Sequence, residues 1–339
     1  MNSNPDRNVL VTGAAGFIGS HVCDALIDRG YRVIALDNLS GGFRENVDSR
    51  AEFVEGSIND TELIPALFDQ HGFQYVFHLA AYAAEGLSHF IRRFNYSNNL
   101  LGSVNLINAS VNSGTVRRFV FTSSIAVYGK NQVPMSEDAA PAPEDPYGIA
   151  KLAVEMDLRA AHEMFGLDYT IFRPHNVYGE RQNIGDPYRN VVGIFINQLM
   201  QGQPLSVFGD GKQTRAFSHI DEVAPLIAAS IERDSCRNEV YNIGADTPYQ
   251  VLELAEVVSR AMGIQPEIRF LDARNEVVHA FATHDKVRRH LGDLIRPVAL
   301  QVGVSRMVDW AQAAGPRPGV RFERIEVERN LPSFWQALI

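Results

Sequence analysis

Short apolar runs alternate with stretches of helical periodicity along the first half of the chain. Residues 9–11 read VLV, a short β-branched run, whereas apolar residues recur at helical spacing from Phe17 to Ile27. The same alternation predicts strands at 8–12, 31–36, 51–54, 73–79, 117–123 and 168–173, and helices near 17–29, 61–71, 96–113 and 147–165. Repeated βα units of this kind predict an α/β protein with a parallel, doubly wound sheet.

Three glycines mark the passage from the first strand into the first helix. The sequence TGAAGFIG places Gly13, Gly16 and Gly19 three residues apart. Glycines there permit a tight turn, the approach of a pyrophosphate and close packing of helix on strand, while the helix N-terminus offers unpaired N–H groups to an anion. We therefore predict a dinucleotide site, although a plain strand–turn–helix would carry the same spacing.

An acidic residue ends the second predicted strand. Asp37 follows the apolar run at 31–36, about where a carboxylate accepts hydrogen bonds from the ribose hydroxyls of a dinucleotide. A carboxylate at this place repels the 2′-phosphate of NADP. The sequence therefore favours NAD as the cofactor.

The pattern changes after about residue 175. Proline residues and the turn at 209–211 interrupt the chain around a predicted helix at 190–202 and a strand at 205–208. Residues 221–234 and 239–243 again resemble a helix followed by a strand, and further helices are predicted near 249–262, 285–291 and 300–314. We predict a Rossmann-like nucleotide-binding domain at 1–175, rejoined by about 218–247, and a smaller, interleaved substrate lobe at 176–217 and 248–339.

Charge and composition exclude several classes of function. The net charge is −9 and the basic residues are scattered, so no nucleic-acid partner is expected. The N-terminus lacks the apolar segment of a signal peptide and the chain has no run of 18 apolar residues, so we expect no membrane association. Cys23 and Cys236 stand far apart with no Cys/His cluster near them, which predicts reduced thiols, no metal site and a cytoplasmic location.

Candidate catalytic groups lie at the end of the fifth predicted strand and on the helix that follows. Ser124 comes after the run FVFTS, at the strand edge where ligands bind in open α/β sheets. Tyr147 and Lys151 form a YxxxK pair, which projects from one face of a helix. A fixed ammonium and the positive nicotinamide of an oxidised cofactor favour a phenolate, and a phenolate is a general base.

With these groups in order, the sequence resembles the extended short-chain dehydrogenase/reductases, and within them the NAD-dependent nucleotide-sugar epimerases and dehydratases. The resemblance covers roughly residues 10–290. The matching segments are TGAAGFIGSH at 12–21, DNL at 37–39, HLAA at 78–81, Asn99 in NLLGS, SSIAVYG at 123–129, YGIAK at 147–151, RPHNVYG at 173–179 and GDGKQTRAFSHIDEVA at 209–224.

The resemblance implies a role for each of these residues. Ser124, Tyr147 and Lys151 would be the catalytic triad. The expected NAD-binding residues are Gly13, Gly16, Phe17, Ile18, Gly19, Asp37, Asn38, Ser57, Ile58, Leu79, Ala80, Ala81, Asn99, Tyr147 and Lys151, and the expected residues for the nucleotide sugar are Ser124, Asn176, Arg215, Arg274 and Ala280. Two departures weaken the match: residues 56–58 read GSI where relatives have GDI, and 215–217 read RAF where they have RDF.

The residues after Ser124 distinguish the reactions of this family. By resemblance, sugar dehydratases carry Asp and Glu there and uronate decarboxylases carry Glu, whereas this chain has Ile125 and Ala126, which transfer no proton. The expected function is therefore a nucleotide-sugar 4-epimerase working through a transient 4-keto-sugar. A dehydratase or oxidoreductase of the same fold, and a non-catalytic NAD-binding or nucleotide-sugar-binding protein, stay open as alternatives.

Two further expectations follow from the resemblance. Ala280 stands where epimerases restricted to plain hexoses carry a tyrosine, so N-acetylhexosamines should fit, unless Phe281 or His279 fills the space. A homodimer is expected through the helices near 96–113 and 147–165, whose second apolar face includes Leu100, Leu101, Leu152 and Met156.

Overall fold

A seven-stranded parallel sheet forms the centre of the protein. The computed structural model describes residues 7–130, 133–273, 277–318, 322 and 324–336. Its strands are β1 (Asn8–Thr12), β2 (Arg32–Asp37), β3 (Glu52–Glu55), β4 (Tyr75–His78), β5 (Arg118–Thr122), β6 (Tyr169–Pro174) and β11 (Glu239–Ile243). They lie in the order β3-β2-β1-β4-β5-β6-β11, and every neighbouring pair is parallel. The strand order reverses between β1 and β4, which is where ligands bind in doubly wound sheets.

Helices cover both faces of the sheet. The helices of the structure are α1 (Phe17–Asp28), α2 (Leu63–His71), α3 (Glu85–Ser88), α4 (Arg92–Tyr96), α5 (Gly102–Ser113), α6 (Pro146–Phe165), α7 (Val191–Met200), α8 (Ala224–Ala229), α9 (Val251–Met262), α10 (Asp285–Leu291), α11 (Leu300–Ala314) and α12 (Ser333–Gln336). One face packs α1, α8 and α10 around Val9 and Val11, and the other packs α2, α5 and α6 around Leu10. The alternation of Val9, Leu10 and Val11 between faces follows from the two-residue period of a strand. The predicted doubly wound sheet is confirmed.

A smaller lobe stands beside the carboxyl ends of these strands. Its short strands are β7 (Val177–Tyr178), β8 (Leu205–Phe208), β9 (Thr214–Ala216), β10 (Ser218–His219), β12 (Pro248–Gln250), β13 (Ile268–Leu271) and β14 (His279–Ala280). They pair as β7 with β10, β8 with β13, and β12-β9-β14. A separate apolar core joins α7, α9 and α11 around Phe195, Leu254 and Val304.

The structure differs from the sequence-based interpretation at two helices and at one domain boundary. The helix expected over 96–113 is a short α4, a π-helical turn at Ser97–Leu101 and then α5. The helix expected over 221–234 is divided by 3₁₀ turns, and α8 covers only its middle. Helix α10, which the predicted boundaries assign to the substrate lobe, contributes Val287 and Leu291 to the sheet's own core. Because β11 adds to the edge of the sheet, α10 finds its apolar surface there and not in the lobe.

The end of the described chain returns to the sheet domain. Leu331 and Trp335 pack with Leu87, Ile91 and Tyr188, so this segment contacts both the loop after β4 and the loop before α7. Within the described residues, no helix is long and apolar enough to span a membrane.

Candidate active site

A cavity of about 510 Å³ lies at the carboxyl ends of the sheet strands and extends into the smaller lobe. This volume is in the range of small-molecule and cofactor sites. Most of the predicted site residues line it, namely Gly13, Gly16, Phe17, Ile18, Gly19, Asp37, Asn38, Ser57, Ile58, Leu79, Ala80, Ala81, Ser124, Tyr147, Lys151, Asn176, Arg215 and Ala280. Arg274 lies outside the described residues.

The glycine turn after β1 leaves no room for side chains. A Cβ on Gly13 would lie 2.7 Å from the Ala80 nitrogen, and one on Gly19 would lie 2.0 Å from the Gly13 oxygen. Gly16 precedes α1, and no side chain caps that end. The first N–H groups of α1 therefore have no partner within the helix, and they belong to Phe17 and Ile18, which line the cavity. A side-chain-free surface with unpaired N–H donors fits the pyrophosphate of a dinucleotide.

Asp37 lies beside this turn at the end of β2. One carboxylate oxygen accepts the Ala15 N–H at 3.0 Å and the other accepts the Leu39 N–H at 2.8 Å. Burial raises the pKa of Asp37, and these backbone donors oppose that shift. Each oxygen still has a lone pair left, so the carboxylate can also accept the ribose hydroxyl groups expected there.

Asn99 has a different position from that of the other predicted cofactor residues. It is buried in the π-helical turn, and its side chain accepts the Tyr82 N–H at 2.8 Å and donates to the Tyr82 carbonyl at 3.1 Å. Tyr82, and not Asn99, lines the cavity. The structure therefore places Asn99 as a support for the loop after β4, and a direct contact with the cofactor stays a prediction.

The three predicted catalytic residues lie together at the end of β5. Lys151 donates from Nζ to the Thr122 carbonyl at 2.8 Å, and its Nζ is 5.8 Å from the centroid of the Tyr147 ring. Asp145 caps α6 by accepting the Gly148 N–H at 2.9 Å, and Pro146 begins the helix. The helix therefore starts at a defined residue, which fixes where Tyr147 and Lys151 project.

Burial dominates the electrostatics of this pair. It lowers the pKa of Lys151 from 10.5 to about 7, which the carboxylate of Glu155 opposes. It raises the pKa of Tyr147 well above the usual range, and a hydrogen bond with Ser124 acts in the opposite direction. Burial therefore opposes both the phenolate of Tyr147 and the ammonium of Lys151 in the cofactor-free protein. Oxidised NAD, when bound, supplies a hydride acceptor and an added positive charge.

A buried polar network lies directly behind the catalytic residues. Glu155 accepts the Ser123 hydroxyl at 2.6 Å and two hydrogen bonds from Arg173, at 2.9 and 2.5 Å. Arg173 also donates to the Tyr128 hydroxyl at 2.7 Å, and that hydroxyl donates to Asn242 at 2.8 Å. The sequence reasoning missed this network. The sequence feature that could have indicated this network is Glu155, a charged residue one helical turn after Lys151 on a helix face that is otherwise buried.

A second buried network joins the sheet to the lobe. His175 lines the cavity and contacts the Ala216 carbonyl through Nδ1 at 3.0 Å and His284 through Nε2 at 3.0 Å. His284 Nδ1 lies 2.7 Å from the Asp246 carboxylate. Burial lowers the pKa of both histidines. The sequence reasoning also missed this pair, because its members are 109 residues apart.

The predicted sugar-nucleotide residues lie in the lobe's half of the cavity. Asn176 has a positive φ of 39° and donates to the Ala216 carbonyl at 3.3 Å. Arg215, on β9, donates to the carbonyls of Val277 and Val278 at 2.6 and 2.9 Å. Ala280 pairs with Arg215 across β14 and β9. These contacts hold the Arg215 guanidinium at the cavity wall beside Ala280.

Comparisons with known proteins agree with this geometry. The model of the NAD dependent epimerase/dehydratase family matches residues 9–244. A putative UDP-glucose 4-epimerase of Methanocaldococcus jannaschii is 34% identical over 307 residues, covering 89% of this chain and 97% of that protein.

Two solved structures are similar over most of their length. A UDP-glucose 4-epimerase from Thermotoga maritima, solved with UDP-glucose, has 37% identity and a TM-score of 0.85, covering 91% of this chain and 99% of that one. A UDP-N-acetylglucosamine 4-epimerase from Methanobrevibacter ruminantium, in complex with UDP-N-acetylmuramic acid, has 32% identity and a TM-score of 0.82 over the same shares of the two chains.

The burial of Lys151 predicts a pH-dependent stability of the cofactor-free protein. The folded pKa of about 7 is below the ordinary value of 10.5, so between these values the unfolded chain binds more protons than the folded one. The free energy of unfolding should therefore gain a contribution as the pH rises from about 7 to about 10. Urea unfolding of wild type and Lys151→Met at several pH values measures this contribution. The free energy of unfolding of wild type minus that of Lys151→Met should increase as the pH rises from about 7 to about 10. A constant difference, or a movement the other way, would contradict the assignment of a destabilised ammonium.

Proposed function

The chain belongs to the NAD-dependent epimerase/dehydratase family, and on that premise we propose that it is a nucleotide-sugar 4-epimerase. One observation carries the choice of reaction. At the end of β5, Ser124 is followed by Ile125 and Ala126, which line the cavity and can neither donate nor accept a proton. A 4-epimerisation needs only Ser124, Tyr147 and Lys151. It therefore fits this strand end better than an elimination or a decarboxylation, which would need a further acidic or basic side chain there.

The chain's own residues supply the proton transfer and the binding of the substrate in this proposal. Tyr147 accepts the proton of the sugar's 4-hydroxyl group as that carbon is oxidised, and it returns the proton when the ketone is reduced. The Ser124 hydroxyl donates to the same oxygen, and the charge of Lys151 stabilises the phenolate. Asn176 and Arg215 would hold the diphosphate, since a guanidinium binds phosphate oxygens through two parallel hydrogen bonds. NAD, when bound, would accept a hydride from this carbon and return it to the same carbon, so the sugar would undergo no net oxidation.

Replacement of the general base is the direct test of this assignment. Tyr147→Phe should cut turnover of the nucleotide sugar by at least about 10², the lower end for a general base, while NAD binding and the unfolding transition stay unchanged. Tyr31→Phe, at a partly buried tyrosine outside the cavity, is the matched control. A Tyr147→Phe enzyme with full activity would exclude this mechanism.

We infer further that the substrate range includes N-acetylhexosamines. Ala280 is small and lines the cavity, whereas His279 is exposed and hydrogen bonds to Thr214 at 2.8 Å. Neither His279 nor Phe281 is among the described residues that line the cavity. The alternative that one of them fills the space beside Ala280 therefore has no support from the described side chains. The similar UDP-N-acetylglucosamine 4-epimerase acts on an N-acetylated sugar by name.

Ala280→Tyr tests whether this position sets the size of the sugar. A phenol ring there should lower kcat/KM for an N-acetylated nucleotide sugar about 5- to 150-fold more than for its plain hexose partner, which is the range that overpacking produces. Paired kinetic assays of wild type and variant on both sugars measure the ratio. Equal losses on the two sugars, or no wild-type activity on any N-acetylated sugar, would contradict the inference.

We also propose a homodimer formed through residues 96–113, which include the π-helical turn at Ser97–Leu101 and α5, and through α6. Two of the four predicted residues have large exposed fractions, 58% for Leu101 and 60% for Met156, and Ile149 and Phe165 of α6 are exposed as well. Leu100 and Leu152 instead pack partly against the protein's own cores. Exposed apolar side chains on α6 and on the π-helical turn before α5 are typical of a surface that a second copy covers.

Charge introduced on this surface should separate the subunits. Leu101→Lys combined with Met156→Lys should give a monomer by light scattering at micromolar concentration, where wild type gives a dimer. Val302→Lys is the matched control, because Val302 is 56% exposed but lies on α11 of the lobe. A monomeric wild type, or a dimer that survives both substitutions, would disprove this interface.

The proposed location is the cytoplasm. Cys23 and Cys236 are both buried and unpaired. Free thiols in the core are compatible with a reducing compartment, where disulfides do not form. Cell fractionation tests the proposal, and recovery of the protein from an oxidising compartment would contradict it.

A further inference from the structure

Arg189 reaches from the smaller lobe into the cofactor half of the cavity. It stands two residues before α7 and lines the cavity. Its guanidinium carbon lies 4.7 Å from the centroid of the Tyr82 ring. A Cβ added to Gly41 would lie 3.5 Å from its Nη2 atom. The side chain therefore meets two segments of the sheet domain, the loop after β2 and the loop after β4.

These two segments lie on either side of the glycine turn. On one side, a Cβ on Gly42 would lie 2.7 Å from the Gly16 nitrogen. On the other side, the Ala80 nitrogen is 2.7 Å from the Cβ position of Gly13, and Tyr82 follows two residues later. Arg189 thus spans the turn whose unpaired N–H groups fit a pyrophosphate. Arg189, Phe17 and Ile18 all line the same cavity.

The guanidinium forms an ion pair with Asp186 through Nε, which orients it and leaves the donors of its two terminal nitrogens for another acceptor. Its Nε donates to the Asp186 carboxylate at 2.6 Å, and the other oxygen of that carboxylate accepts the Tyr188 N–H at 2.9 Å. Among the described residues, none accepts a hydrogen bond from Nη1 or Nη2 of Arg189, and the side chain is only 16% exposed. Partly desolvated nitrogens of an arginine that face a cavity are strong donors for an anion with two oxygens to offer.

We propose that Arg189 closes the pyrophosphate site of NAD from the side of the substrate lobe and holds the cofactor in place. The α1 N-terminus binds one side of the pyrophosphate and Arg189 the other. This clamp joins the two lobes through the cofactor. An enzyme that returns its hydride in every cycle does not need to exchange NAD. Tight binding of NAD by Arg189 therefore does not lower the turnover rate. The inference rests on NAD as the family's cofactor and is independent of which sugar the enzyme converts.

The test compares ligands with and without a diphosphate. Isothermal titration on nucleotide-free protein would measure NAD, ADP-ribose, adenosine and UDP with wild type, Arg189→Gln and Arg189→Lys. We expect Arg189→Gln to weaken NAD and ADP-ribose about 10- to 100-fold, the loss typical of a charge-assisted pair, and to leave adenosine unchanged. The affinity of Arg189→Lys for NAD and ADP-ribose should lie between those of wild type and Arg189→Gln, because a lysine keeps the charge but lacks the planar guanidinium.

Arg181→Gln is the matched control. Arg181 also reaches from the lobe to the sheet domain, pairing with Asp24 at 2.7 Å, but it does not line the cavity. The Arg181→Gln variant should bind NAD as tightly as wild type does. It should also retain bound NAD through purification, whereas the Arg189→Gln variant should lose it. The proposal would be overturned if Arg189→Gln lost equal affinity for adenosine and ADP-ribose, or lost affinity only for UDP. It would also be overturned if Arg181→Gln lost as much affinity for NAD as Arg189→Gln does. None of these ligands is a nucleotide hexose, so the binding measurements stand even if the proposed epimerase reaction fails.

Discussion

The attachment of α6 to the end of β5 is the constraint on which the active site depends. Lys151 donates to the Thr122 carbonyl and Glu155, one turn later, accepts from the Ser123 hydroxyl. Arg173 on β6 completes the contact by pairing with Glu155 in the core. Removal of one partner of such a pair leaves an uncompensated buried charge, at a cost of about 3–5 kcal/mol. Two adjacent turns of one helix are thereby fixed to two adjacent residues of one strand, and Tyr147 and Ser124 take their positions from that register.

The burial that fixes the positions of these residues also disfavours their charged forms in the protein without its cofactor. It disfavours both the phenolate of Tyr147 and the ammonium of Lys151. A phenolate and an ammonium are favoured together when each compensates the other and a further positive charge is present. In the proposed mechanism, bound NAD would add the positive charge that favours the Tyr147 phenolate.

Local patterns predicted the parts of the site that are local in the chain. The glycines of the first turn, Asp37 at the end of β2 and the YxxxK pair all depend on neighbours within one strand or one helical turn, and each lies at the cavity. Contacts between distant segments were not predictable in this way. Asn99 supports Tyr82, and Arg189 reaches across the cavity to Tyr82, because of how separate loops meet in space. No period or motif encodes such a meeting. Helix α10 was assigned to the wrong side for the same reason, since its partner β11 joins the sheet only through the tertiary fold.

In the proposed reaction, this site oxidises and then reduces one sugar carbon without net change. The most direct measurement follows a nucleotide hexose labelled with deuterium at C4, across UDP, GDP, CDP and dTDP forms, by mass spectrometry and NMR. The account predicts interconversion of the two C4 epimers of at least one of these sugars, with unchanged mass, deuterium retained at C4 and no accumulation of NADH. A product that has lost water, a stoichiometric build-up of NADH, or binding of these sugars without any turnover would contradict it.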